Sequence, residues 1–139
     1  MRDYFAPSLT PDQLRAMSSL ALAHMGDGVY EILVRGWLCS QGREVSGNLH
    51  RETVKRVRAA AQAEALDAIL PLLDEQEVGV VHRGRNANIH MIPKGASRGE
   101  YRKATALEAL FGWLYLQQRT ERINQLFDRI ISTQEGEDH

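Results

Sequence analysis

The sequence predicts an all-α protein, and three observations carry that prediction. Apolar residues recur at spacings of three to five along most of the chain, the period of a helix buried on one side. Helix-start signatures, in which Thr or Asp is followed three residues later by Gln or Glu, precede such stretches. Only four prolines interrupt 139 residues, and the one β-branched cluster, around Val78, Val80 and Val81, lies inside a stronger helical pattern.

The elements follow in order. In "SLTPDQL", Thr10, Pro11 and Gln13 fall at the N-cap, first and third positions of a helix. A long helix covers roughly Ser18 to Gln41, with Leu22, Met25, Val29, Ile32, Leu33 and Leu38 as its apolar positions and Gly42 as its stop. Asn48 caps the next, "LHRETVKRVRAAAQAEALDAIL", which reads as one helix ending at Pro71, with Ala59 to Ala61 suited to close helix approach. Asp74 and Glu77 open a further helix that runs into "HRGRNAN". Residues 88–99 read as a loop holding Pro93, Gly95 and Gly99, followed by an apolar helix from about 100 to 118. Thr120 caps a last helix whose stripe is Ile123, Leu126, Phe127, Ile130 and Ile131. No linker or repeat divides the chain, so residues 1–139 read as one domain, frayed at 1–9 and 133–139.

Composition excludes several classes of function. The single cysteine, Cys39, rules out a disulfide framework or a cysteine metal site and reads as a reduced, buried thiol. The five histidines show no paired spacing, which argues against zinc, and no glycine-rich phosphate loop is present. No N-terminal leader and no apolar run of spanning length are visible, so the expected location is the cytoplasm, away from membranes.

The net charge of −1 gives no global pull toward nucleic acid, but the charge is uneven. Between His82 and Lys103 stand six Lys or Arg (Arg83, Arg85, Lys94, Arg98, Arg102 and Lys103) against one acid, Glu100. Mixed with Gly, Asn and Ser, this strip suits phosphate contact, with Asn86 among its candidates. Arg51, Lys55 and Arg58 would share one face of the second long helix.

Two acids stand out because each lies inside a helix of core-type residues. Asp27 sits in "LALAHMGDGVYEILVR" and Glu108 in "ATALEALFGWLYL". Each could face solvent or pair with an arginine. Two carboxylates from separate helices meeting in a cleft would instead form an oxygen-rich site for Mg²⁺, which takes one or two protein carboxylates and keeps its waters. Glu31, one turn after Asp27, could extend that site or serve as a salt-bridge partner. Gly26, costly mid-helix, would let a neighbouring helix or a ligand backbone come close.

Together these stretches resemble the ribonuclease III family. "LALAHMGDGVYEILVR" is similar to the signature helix of its catalytic domains and "TALEALFGWLYL" to their second acidic helix; "HRGRNA", a loop and "YRKATALEAL" resemble the short Mini-ribonuclease III branch, which lacks a double-stranded-RNA-binding domain. The resemblance covers roughly residues 14 to 131. It implies an all-helical homodimer that hydrolyses double-stranded RNA with Mg²⁺ (Mn²⁺ able to substitute), leaving a 5′-phosphate and a 3′-hydroxyl. It further implies trimming of 23S ribosomal RNA precursors, with a large-subunit ribosomal protein as helper. Asp27 falls on the aspartate of the Gly-Asp signature and Glu108 on the glutamate of the Glu-Ala-Leu signature. Two carboxylates of the larger enzymes are missing, replaced by Ala23 and Thr105; Thr105 through a water, or Glu31, could stand in. His24 falls where the larger enzymes place an aromatic dimer-interface residue. Arg83, Arg85, Asn86, Lys94, Arg98 and Lys103 are the expected RNA contacts. Two other readings stay open at this stage: a non-catalytic RNA-binding scaffold of this fold, in ribosome assembly or splicing, and a helical dimerisation module without RNA.

Overall fold

The structure, a computed structural model, describes residues 1–7, 9–42, 48–87, 92 and 94–137. The described residues form seven α-helices and one 3₁₀ turn, with no strand: α1 (Pro11–Arg15), α2 (Ser19–Ser40), α3 (Asn48–Val57), α4 (Ala59–Ile69), the turn Leu70–Leu72, α5 (Glu75–Arg85), α6 (Arg98–Leu116) and α7 (Thr120–Glu137). The all-α expectation holds. Capping boxes start α1 at Thr10/Gln13 and α5 at Asp74/Glu77, as the sequence signals. A third starts α6 at Ser97/Glu100. The β-branched residues of 78–81 are helical.

Helix α6 is the axis of the fold. Ala104 to Leu107, Ala109 to Gly112, Leu114 and Leu116 are all buried, so it presents apolar surface on every side, as a helix enclosed by others must. Helices α2, α4, α5 and α7 pack around it. Tyr30 of α2 meets Phe111 of α6 and Phe127 of α7 edge-on, with ring centroids 5.4 and 5.9 Å apart. A buried ion pair joins α5 to α7. Arg122 donates to both oxygens of the fully buried Glu77, at 2.8 and 2.7 Å, and to the Leu72 carbonyl at 2.8 Å. Burial pushes the Glu77 carboxyl up, but hydrogen bonds from Arg122 and the Asp74 backbone outweigh it and hold it below the usual carboxylate range.

Two glycines set the crossing of α2 over α6. A Cβ at Gly26 would lie 1.6 Å from the Glu108 carbonyl oxygen, and one at Gly112 would lie 2.0 Å from the Leu22 carbonyl oxygen. The two helices therefore touch backbone to backbone. Of the two uses open to Gly26 in the sequence, close approach of a helix is the one realised.

Three expectations need correction. The stretch from Asn48 to Leu70 is two helices, broken at Arg58, whose backbone is extended (φ −67°, ψ 157°). Arg51, Lys55 and Arg58 thus share no continuous helical face. Cys39 is exposed, because Leu38 takes the core position beside it. Helix α7 continues past Ser132 to Glu137, where Gln134 and Glu135 hold Arg56 against the indole of Trp37. The residues 88–91 and 93 of the expected loop lie outside the described ones.

The crossing gives a direct test. Gly112→Ala should cost roughly 3 kcal/mol or more, since its Cβ meets backbone and overpacking has nowhere to relax. Gly79→Ala, whose Cβ would meet only the Arg83 guanidinium at 3.3 Å, should be neutral or stabilise by about 0.5–1 kcal/mol. Urea midpoints of the two variants against wild type measure both effects.

Candidate active site

The helix crossing decides where the two acids sit. Asp27 follows Gly26, and Glu108 supplies the very carbonyl that Gly26 approaches. The carboxyls therefore flank the contact and open into one cleft of about 610 Å³. Asp27 is on its exposed side, whereas Glu108 is largely buried. The Glu108 pKa is raised from 4.5 to about 8 by burial, then by a hydrogen bond to Asp27 and by the Asp27 charge. The proton on Glu108 is favoured by the Asp27 carboxylate beside it. The Gln62 amide, beside it, acts in the opposite direction and draws the pKa down.

The cleft floor and rim come from five segments. Helix α2 gives His24 and Asp27; the α3–α4 break gives Arg58; α4 gives Gln62; the chain before α6 gives Lys94; α6 itself gives Tyr101 and Glu108. Thr105 lines the same cleft, and its hydroxyl donates to the Tyr101 carbonyl at 2.9 Å, leaving the oxygen free to accept. Glu31 lies outside the cleft lining, paired with Arg35 at 3.4 Å.

Two carboxylates this close, one of them poorly solvated, cannot both ionise cheaply. Either a proton or a cation must sit between them. The donor set fits a hard divalent cation such as Mg²⁺: oxygen ligands, two carboxylates, and room for water. Among the described residues no cluster of three or more His, Cys, Asp or Glu exists, so water would complete the shell.

The basic strip divides into free and engaged cations. Lys103 bonds Asp67 at 2.9 Å, and Arg102 donates to the Arg85 carbonyl at 3.0 Å. Asn86 caps α5, its amide donating to the His82 carbonyl at 3.0 Å. Arg83, Arg85, Lys94 and Arg98 are exposed, with no ion pair among the described residues. Sequence reasoning missed Gln62 and Tyr101, and it placed Arg58 on a basic helix face rather than at the cleft rim. The only signal for Gln62 is a lone amide in an alanine run.

Residues 20–119 match the ribonuclease III domain family. The chain belongs to the ribonuclease III family of endoribonucleases. A Mini-ribonuclease 3 of Clostridium tetani is 37% identical, with the match covering 100% of this chain and 97% of that protein. A Mini-ribonuclease 3 of Desulfitobacterium hafniense is 47% identical over 86% of this chain and 76% of its own length. The crystal structure of a Fusobacterium nucleatum protein superposes with a TM-score of 0.79 at 30% identity, covering 87% of this chain and 97% of that one. The all-α architecture is thus that of a ribonuclease III-family chain.

The raised Glu108 pKa has a consequence for stability without metal. The folded protein keeps this proton up to pH about 8, whereas the unfolded chain releases it near 4.5. The folded state binds more protons between those values, so stability falls as pH rises through that window. Glu108→Gln should remove that slope and stabilise the metal-free protein by on the order of 1–2 kcal/mol near pH 8. Thermal unfolding in chelator across the pH range, for both proteins, checks it.

Proposed function

We propose that this ribonuclease III-family chain cleaves double-stranded RNA with Mg²⁺, and that Asp27 and Glu108 are the residues that hold the metal. The observation that carries this is the meeting of the two carboxylates in one cleft beside the helix crossing. Bound there, Mg²⁺ supplies a Lewis acid and a lowered water pKa (Mn²⁺ supplies the same chemistry). The chain's own groups do the rest. Asp27 and Glu108, ionised together, give the site its negative charge, and their helices fix their positions. Thr105 accepts a hydrogen bond from water in the cleft, in place of a third carboxylate. Lys94 and Arg58 at the rim offset the charge of the phosphodiester. Hydrolysis adds water oxygen to phosphorus and breaks the bond to the 3′ oxygen, leaving a 5′-phosphate and a 3′-hydroxyl.

A-form RNA is read by shape, phosphates and 2′-hydroxyls. Arg83, Arg85, Lys94 and Arg98, exposed along one strip that leads from α5 to α6, suit phosphate contact. Asn86 and Lys103, engaged within the chain, would hold that strip in place or exchange partners when RNA arrives. The whole chain serves as one catalytic domain.

Two cuts across a duplex need two sites, which favours a two-fold homodimer. Helix α2 offers the surface. His24, Gly28, Ile32 and Gly36 lie four residues apart on one exposed ridge, and Ile32 is 59% exposed. A Cβ at Gly28 or Gly36 would meet nothing within 4 Å, so nothing among the described residues explains either glycine. A second copy of α2 crossing this ridge does. His24 lies on the same ridge and at the cleft edge, and so would sit near the two-fold axis.

The Mini-ribonuclease 3 relatives support a role in RNA processing; we assign the chain to maturation of 23S ribosomal RNA precursors in the cytoplasm, assisted by a large-subunit ribosomal protein. No helix is long and apolar enough to cross a membrane, among the described residues.

A gel assay on long double-stranded RNA tests the proposal. Wild type should cleave with Mg²⁺, and Asp27→Asn should lose on the order of 10³-fold in rate, the several kcal/mol a Lewis acid contributes, while still binding the RNA. Binding without cleavage by wild type, in Mg²⁺ and in Mn²⁺, would contradict it and favour a scaffold.

A further inference from the structure

Gln62 is a primary amide only 3% exposed, the one polar residue among the buried positions of α4, which are otherwise Ala63, Ala65, Leu66 and Ile69. Burying an amide without a partner costs roughly 1–3 kcal/mol by protein mutational measures. Leucine at this position would remove that liability. Gln62 lines the same cleft as Asp27 and Glu108, and it draws the Glu108 pKa down. The chain also bends to bring it there. None of the residues around Arg58 is a helix breaker, yet α3 stops and α4 restarts with Arg58 extended. The restart turns the first residues of α4 toward the cleft, where Ala59, Ala60 and Gln62 form part of its lining. Arg58 caps this helix with no side-chain hydrogen bond. The break therefore brings no capping gain, and its visible result is the placement of Gln62 and Arg58 in the cleft.

We propose that Gln62 is a positioning residue of the site: its side-chain N–H donates to the Glu108 carboxylate and fixes that carboxylate toward Asp27, so that the pair forms a ready seat for a divalent cation. This rests on Asp27 and Glu108 as the metal-holding pair. A carboxylate on a flexible side chain binds metal poorly until its rotamer is fixed. Partners that orient ligands in this way are worth 10–100-fold in affinity or activity when removed. A neutral amide suits the task because it adds no third negative charge to a pair that already repels.

The test compares wild type, Gln62→Met and Asp27→Asn. Methionine keeps the unbranched shape and nearly the volume of glutamine but donates no hydrogen bond. Mn²⁺ alone, without RNA, is titrated by electron paramagnetic resonance. Gln62→Met should bind Mn²⁺ about 10-fold more weakly or worse, and its Mg²⁺ requirement for cleavage should rise by a similar factor. Its kcat at fixed Mg²⁺ should fall while KM for the duplex stays within about twofold, a split that simple loosening of the fold would not give. A folded Gln62→Met with wild-type Mn²⁺ affinity, alongside an Asp27→Asn that has lost it, overturns the role of Gln62 and leaves the metal pair standing. Asp27→Asn binding Mn²⁺ as wild type does overturns both. Should Gln62→Met fail to fold, the side-chain amide signals of Gln62 in the wild-type protein decide by nuclear magnetic resonance. Mg²⁺ should shift them through Glu108, and signals that Mg²⁺ leaves unmoved overturn the inference.

Discussion

The backbone contact between α2 and α6 is the constraint on which the rest of the structure depends. Helices with ordinary side chains pack with axes 8–10 Å apart. Here Gly26 and Gly112 remove the Cβ atoms that would hold them at that distance, and main chain meets main chain. The carboxyl of Asp27, next to Gly26, and that of Glu108, whose own carbonyl is touched, are brought within hydrogen-bonding reach as a result. The same closeness places Thr105, one turn before Glu108, in the cleft wall. Enclosure of α6 by α4, α5 and α7 then makes Glu108 hard to hydrate.

That arrangement works against stability in the metal-free chain. Burial and the Asp27 charge both favour a protonated Glu108. A fold selected for stability alone would place an apolar residue at one of these positions. The stabilising features lie elsewhere: the aromatic contacts of Tyr30, the enclosed α6, and the Glu77–Arg122 pair joining α5 to α7. The molecule thus separates a rigid frame from a strained pair of acids, as functional sites commonly do.

Much of this was legible in the sequence, and the reason is local. Helix existence follows from periodicity, and helix starts follow from capping chemistry, as at Thr10 and Asp74. The two acids stood out because a carboxylate amid core-type residues conflicts with its own helix. What escaped depends on tertiary contacts. "KRVRAAAQ" contains only competent helix formers, so nothing local announces the break at Arg58. Gln62 gains its meaning only from Glu108 across the cleft. Lys103 could not be separated from a free charge by spacing, since its partner Asp67 lies on another helix, whereas the Glu31–Arg35 pair is an i,i+4 contact within α2. Cys39 was misjudged because its one-residue offset from Leu38 turns it to the outer face of α2.

The central claim is that a divalent cation replaces the proton shared by Asp27 and Glu108. Proton release on Mg²⁺ binding measures this directly, by calorimetry near pH 7 in buffers of different ionisation enthalpy. With the Glu108 pKa at about 8, the account predicts that each Mg²⁺ bound releases about one proton. Mg²⁺ binding without proton release would mean that the cation sits elsewhere, and would contradict the account.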